Sequence, residues 1–192
     1  MNPLSISWNV ILASKSPRRQ NLIKELGIDF EIRTKEVEEI YPEELEREHV
    51  ALFLSELKAN AFADEIKEKD LVITSDTIVC LGDRIIGKPK GREDAFHMLS
   101  DLSGNKHEVI TAVTLTSSEK QESFHVVTEV YFKVLTNHEI DYYINKYEPY
   151  DKAGSYGIQE WLGYIGIEKI NGSYFNVMGL PVKELYEALD NF

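Results

Sequence analysis

The chain has 192 residues, 43% of them hydrophobic, enough for one sizeable core and for a single domain over residues 1–192. Its 33 acidic side chains against 21 basic ones leave a formal charge of −12, which disfavours nonspecific binding to nucleic acid polymers or anionic membranes. A single cysteine, Cys80, excludes an intramolecular disulfide, and the lack of a charged-then-apolar leader or an 18-residue apolar run leads us to expect a soluble, cytoplasmic protein.

Trp8, Val10, Ile11 and Leu12 read as a strand. From Pro17, the residues Leu22, Ile23 and Leu26 fall on one helical face that ends before Gly27, which makes Ser16 the expected N-cap. A strand is expected over 30–34, followed by the acidic run Glu36-Val37-Glu38-Glu39, and Pro42 opens a helix expected to reach about residue 66. Residues 71–75 and 77–81 read as strands on either side of Asp76, and Gly82-Asp83 turns the chain into a short strand at Ile85-Ile86. A helix over 92–102 and a hairpin of 109–115 with 124–135 follow. A helix capped by Asn137 then runs to Tyr147, where Pro149 stops it. The last third reads as strands at 156–158 and 174–177 and a closing helix over 181–189. Alternating elements contributed by both halves of the chain indicate an α/β sheet with a cleft rather than two independent domains.

Several residue groups carry chemistry. The N–H groups of the helix that begins at Pro17 attract anions, and Arg18 and Arg19 add donors suited to phosphate; the alternative is an ordinary cap beside surface arginines. Lys58 neighbours Leu54, Ala61 and Phe62, so its ammonium lies beside an apolar face where phosphate would offset its desolvation, unless it simply snorkels. Asp76 interrupts an apolar run, as a carboxylate does when it meets metal or water at a strand end, or when it caps a turn. Gly87 and Pro89 hold Lys88 in a stiffened loop, as a point charge for phosphate or a partner for Asp76.

Glu38 or Glu39 would add a second carboxylate to a divalent-ion site, although acidic runs are usually solvated. Asp151 and Lys152 form a charged pair before a small-residue turn, and Gln159 offers an acceptor and a donor to a base edge. The five histidines lack metal-ligand spacing, no Ser–His–Asp order is defensible, and neither the P-loop nor the dinucleotide fingerprint is present.

These motifs together resemble the Maf family of nucleoside triphosphate pyrophosphatases, known also as septum formation inhibitors. The resemblance runs in order through Leu12-Ala13-Ser14-Lys15-Ser16-Pro17-Arg18-Arg19, Glu39, Lys58-Ala59, Ser75-Asp76-Thr77-Ile78-Val79, Gly87-Lys88-Pro89 and Leu102-Ser103-Gly104. It continues through Thr111-Ala112-Val113, Asp151-Lys152-Ala153-Gly154-Ser155-Tyr156-Gly157-Ile158-Gln159, Ile170-Asn171-Gly172-Ser173-Tyr174 and Val177-Met178-Gly179-Leu180-Pro181.

The resemblance implies an elongated, mixed-sheet α/β fold shared with inosine triphosphate pyrophosphatases, a substrate cleft between two lobes and often a homodimer. It also implies hydrolysis of a nucleoside triphosphate to monophosphate and pyrophosphate with Mg2+ or Mn2+. By the same resemblance, Ser14, Arg18, Arg19, Lys58 and Lys88 match phosphate-contacting positions, and Asp151 and Lys152 join the substrate-binding set. Asp76 matches the catalytic acid–base residue, Lys88 and Glu39 complete the catalytic group, and Asp76 with Glu39 would hold the metal. Arg18, Thr77 and Gln159 match the positions that mark the dTTP/UTP branch. The segment Glu160-Trp161-Leu162-Gly163-Tyr164-Ile165-Gly166 is bulkier than the glycine-containing run common in the family. A noncatalytic nucleotide-binding regulator of septation and a pyrophosphatase for modified nucleotides are the competing expectations.

Overall fold

The structure is a computed structural model that describes residues 7–192. Its described strands form a sheet in the order β2-β1-β3-β5-β6-β7, with β4 joined to β3. These are β1 (Asn9–Leu12), β2 (Phe30–Ile32), β3 (Asp70–Leu81), β4 (Arg84–Ile86), β5 (Lys106–Thr116), β6 (Gln121–Phe132) and β7 (Ile167–Asn171). Helices α1 (Pro17–Glu25), α2 (Glu48–Asn60), α3 (Arg92–Leu102), α4 (Asn137–Tyr147), α5 (Trp161–Gly166), α6 (Tyr174–Met178) and α7 (Val182–Asn191) complete the mixed α/β fold. None of the described helices is long and apolar enough to cross a membrane.

The chain divides into two compact units. The first comprises Met1–Asp76, Thr111–Val126 and Gly179–Phe192. In it β1 runs parallel to β2 on one side and to the start of β3 on the other, with Val10 opposite both Phe30 and Leu71. Parallel neighbours need crossover connections, and α1 and α2 supply them. The chain therefore winds outward in one direction to β2 and then returns to the opposite side of β1. Ligands of open α/β sheets bind at such a reversal, beyond the carboxyl ends of the strands. Ile11, Val72 and Phe62, the last lying just past the end of α2, form a small buried cluster.

The second unit comprises Thr77–Ile110 and Val127–Met178. There β4 pairs antiparallel with the end of β3, and β7 with β6. Its core gathers Val79, Leu99, Leu102, Phe132, Ile140, Tyr143, Tyr156 and Leu162.

Six local expectations are corrected. The helix expected from Pro42 begins at Glu48: Arg47 has a φ of 46°, incompatible with a helix interior, and burial starts only at Val50. Helix α2 also ends at Asn60, short of residue 66. Asp76 does not separate two strands but lies inside one twelve-residue strand. The α4 cap is Thr136, not Asn137, in a reciprocal capping box with Glu139. Residues 156–158 are not a strand, because positive φ at Gly154 and Ser155 bends the chain and Tyr156 and Ile158 pack into the core without a ladder partner. Residues 174–177 are helical, with the Ser173 hydroxyl accepting the Asn176 N–H at 3.3 Å. Strand β7 and helix α5 were not anticipated.

Candidate active site

The end of β1 places the first functional side chains. Leu12 pairs with Ile73 and the Ala13 N–H donates to the Ile73 carbonyl at 2.9 Å, so Ser14 leaves the sheet beside Thr74 and Ser75. Ser14 is buried, its hydroxyl accepting the Ser16 N–H at 3.2 Å while the Gln20 amide donates to its carbonyl at 3.1 Å. Ser16 occupies the N-cap position of α1 without a side-chain cap bond. The local brace at this helix start is thus Ser14, two residues earlier than the expected cap.

Arg19, on the first turn of α1, donates Nε–H to the Gly179 carbonyl and Nη1–H to the Ser75 carbonyl, both at 2.7 Å. Carbonyls fix the guanidinium without neutralising it. Burial draws its proton affinity below the ordinary arginine value, Asp76 pushes it back up, Arg18 lowers it and Glu39 raises it. These four charged groups therefore share one electrostatic environment.

Helix α2 delivers Lys58 to the same place. Val50, Ala51, Leu54, Ser55 and Ala59 form its buried face. Ser55 locks its register: the Ser55 hydroxyl bonds Thr114 at 2.8 Å, and the Thr74 hydroxyl donates to the Ser55 carbonyl at 2.7 Å. One turn after Leu54, the Lys58 ammonium bridges two carboxylates, bonding Asp76 Oδ1 through a short contact and Glu39 Oε1 at 2.8 Å. The Asp76 side chain is 12% exposed and that of Glu39 42%, so the bridge has one sheltered and one solvated end.

Asp76 and Glu39 form a hard-oxygen pair already gathered around one positive charge. Mg2+ characteristically takes one or two carboxylates and completes its octahedron with water and phosphate oxygens, so this pair fits such an ion. Among the described residues, no group of three or more His, Cys, Asp or Glu side chains is disposed to hold a metal alone.

The remaining expected residues belong to the second unit. Thr77, half-buried, follows Asp76 along β3. Lys88 is exposed in the loop after β4, and that loop is tied to the turn after Lys152 by a bond from Gly154 N–H to the Gly87 carbonyl at 3.0 Å. Gly154, at a φ of 69°, is packed tightly, since a Cβ would lie 3.1 Å from a Val79 methyl, which would have to give way slightly. Lys152 is buried, paired with Asp151 at 2.7 Å and Glu160 at 3.2 Å. Gln159 is partly buried, and its Oε1 is withdrawn from solvent without a hydrogen-bond partner.

The first unit thus brings together Ser14, Arg18, Arg19, Glu39, Lys58 and Asp76, and the second carries Thr77, Lys88, Asp151, Lys152 and Gln159. Sequence reasoning missed Ser55, Thr74, Tyr143, Glu160 and the Gly179 carbonyl. Only Glu160 left a signal, as the first residue of the bulky 160–166 segment.

The sequence model of the Maf-like protein family matches residues 9–192. The chain belongs to the Maf family. A dTTP/UTP pyrophosphatase of Flavobacterium johnsoniae is 53% identical over 182 residues, covering 95% of this chain and 94% of that protein. A dTTP/UTP pyrophosphatase of Phocaeicola vulgatus is 52% identical over 183 residues, covering 95% of both. Among solved structures, the Staphylococcus aureus Ham1 protein is similar at a TM-score of 0.47 and 16% identity, covering 65% of this chain and 71% of that one. The Maf match includes every candidate site residue named above.

Proposed function

We propose that this chain hydrolyses dTTP and UTP between the α and β phosphates, releasing a nucleoside monophosphate and pyrophosphate. The observation that carries the reading is the Lys58 bridge between Asp76 and Glu39, set beside Arg18 and the carbonyl-anchored Arg19 where the parallel strands reverse. Phosphoryl oxygens of a triphosphate would draw on Arg18, Arg19, Lys58 and Lys88, with Ser14 completing the phosphate contacts. Asp76 accepts a proton from water as the water oxygen bonds to the α-phosphorus. The bridging P–O bond breaks and its electron pair leaves with pyrophosphate, whose charge the basic residues stabilise. Asp76 and Glu39 would hold a divalent cation, which supplies screening between phosphate charges and polarisation of a phosphoryl oxygen.

Base selection falls to Gln159, with Thr77 and Arg18. The Gln159 Oε1 is a buried acceptor that needs a donor. Thymine and uracil offer one at N3–H, whereas cytosine presents an acceptor there, so the amide discriminates among pyrimidines by hydrogen-bond polarity. By the family relationship, Asp151 and Lys152 join the proposed substrate-binding residues. The reading extends to a cytoplasmic homodimer acting on free nucleotides, supported by the family relationship and by the −12 charge that opposes polymeric polyanions.

Hydrolysis of a nucleotide panel with Mg2+ or Mn2+, with products resolved chromatographically, tests the reading. dTTP and UTP should give monophosphate and pyrophosphate in preference to CTP and GTP. Diphosphate with orthophosphate, or no turnover, would overturn it.

A further inference from the structure

The bulky segment after Gln159 takes part in a buried polar knot within the second unit. Tyr143, on α4, has a fully buried ring, and its hydroxyl sits between two loop groups: it accepts the Gly157 N–H at 2.9 Å and donates to Glu160 Oε2 through a short bond. The other Glu160 oxygen takes the Lys152 ammonium at 3.2 Å, and the Glu160 N–H returns to the Gly157 carbonyl at 3.0 Å. Gly157 makes this possible, because a Cβ there would lie 2.8 Å from the Glu160 carboxyl carbon. Burial and the Glu160 carboxylate hold the Tyr143 hydroxyl well above the usual phenol range, so it remains a donor.

The loop 152–160 is consequently fastened at both ends by the Lys152–Glu160 pair and in its middle by Tyr143. Gln159 lies between two fastened residues, Gly157 and Glu160, and its Oε1 is the one polar atom of this group left buried without a partner. A rigid loop can hold an acceptor away from water only if its backbone is prevented from relaxing, and the knot supplies that restraint.

We infer that Tyr143 and Glu160 are positioning residues that set the pyrimidine selectivity of the enzyme, acting through Gln159 and touching no substrate themselves. The inference rests on the reading of Gln159 as the base-recognising side chain. Glu160 would act through its two oxygens, which join the loop to both Tyr143 and Lys152.

The test measures kcat/KM for dTTP and CTP in the full-length enzyme and in Tyr143→Phe, Glu160→Gln, Gln159→Ala and the Tyr143→Phe/Gln159→Ala double variant. The dTTP-to-CTP ratio is read on one preparation, so the folded fraction cancels. Tyr143→Phe should reduce that ratio roughly tenfold, and in the Gln159→Ala background it should reduce it no further, because the two act through one contact. Glu160→Gln, which keeps shape and volume, should reduce the ratio in the same direction and carries the test if the phenylalanine variant does not fold. Unchanged ratios in both Tyr143→Phe and Glu160→Gln, with a collapsed ratio in Gln159→Ala, would overturn the positioning role and leave the base-reading role standing. An unchanged ratio in Gln159→Ala would remove the base-reading role and the inference with it. Losses that multiply in the double variant would also overturn it, since Tyr143 would then act elsewhere.

Discussion

Replacing Asp76 by asparagine separates chemistry from folding, because the structure assigns the two effects different sizes. The amide keeps the shape of the carboxylate and can still accept from Lys58, whose ammonium also retains Glu39 at 2.8 Å. What folding loses is the difference between a charge-assisted bond, ~1.5–3 kcal/mol, and a neutral one of ~1 kcal/mol, partly offset because a carboxylate no longer has to be buried. A net cost of about 1 kcal/mol lowers Tm by about 2–4 °C for a domain of this size. Against a typical stability of about 5–15 kcal/mol, the folded fraction stays near unity.

Loss of a general base, in contrast, costs ~10²–10⁴ in rate, or about 3–5 kcal/mol of barrier. Pyrophosphate release at saturating dTTP and Mg2+ should therefore fall by at least two orders of magnitude. Circular dichroism should be unchanged, and metal-free dTTP affinity by calorimetry should be equal or tighter, since one negative charge beside the triphosphate is gone. Turnover within about threefold of the parent enzyme would refute the assignment of Asp76 to proton transfer. Loss of the native spectrum would instead make Asp76 a structural carboxylate whose pairing with Lys58 holds β3 to α2.

Lys58→Met should raise KM for dTTP, UTP, CTP and GTP alike, by roughly tenfold, because a phosphate contact is blind to the base; a change confined to one base would contradict that role. The same variant should bind Mn2+ more tightly without nucleotide, read by titration calorimetry, since Asp76 and Glu39 lose their shared ammonium; equal or weaker binding would place the ion elsewhere. His107 is 1% exposed, and burial lowers its pKa from 6.5 to about 4. Between those values the unfolded chain binds a proton that the folded chain does not, so stability falls as pH drops from about 6.5 towards 4, by about 3 kcal/mol at the lower end. Urea midpoints across that window should show the slope, and His107→Gln, which keeps a partner for Tyr156, should flatten it. Gly154→Ala should cost about 1–2 kcal/mol in urea denaturation, because its φ of 69° is unfavourable for alanine and the added methyl meets Val79; an unchanged midpoint would mean that the turn relaxes freely.

Local sequence determined those parts of this protein in which short-range signals agree. The β1–α1 junction, α3 from Arg92 to Leu102 and the β5–β6 hairpin follow from apolar periodicity and turn chemistry that neighbouring residues supply by themselves. The ordered motifs from Leu12 to Pro181 likewise carried the family, which the match over residues 9–192 bears out. Tertiary structure decided what depends on partners far along the chain. The acidic stretch after Pro42 has good helical propensity, yet the helix waits until Glu48 because no apolar face is buried before Val50. Asp76 stays within its strand because Lys58 meets its charge, a compensation invisible in the run 71–81. Arg19 is pinned by the carbonyl of Gly179, 160 residues away, and Tyr143 reads locally as an ordinary core aromatic until Glu160 and Gly157 are brought to its hydroxyl. Propensity acts over a few residues, whereas the placement of a buried charge or hydroxyl is set by whichever distant group satisfies it.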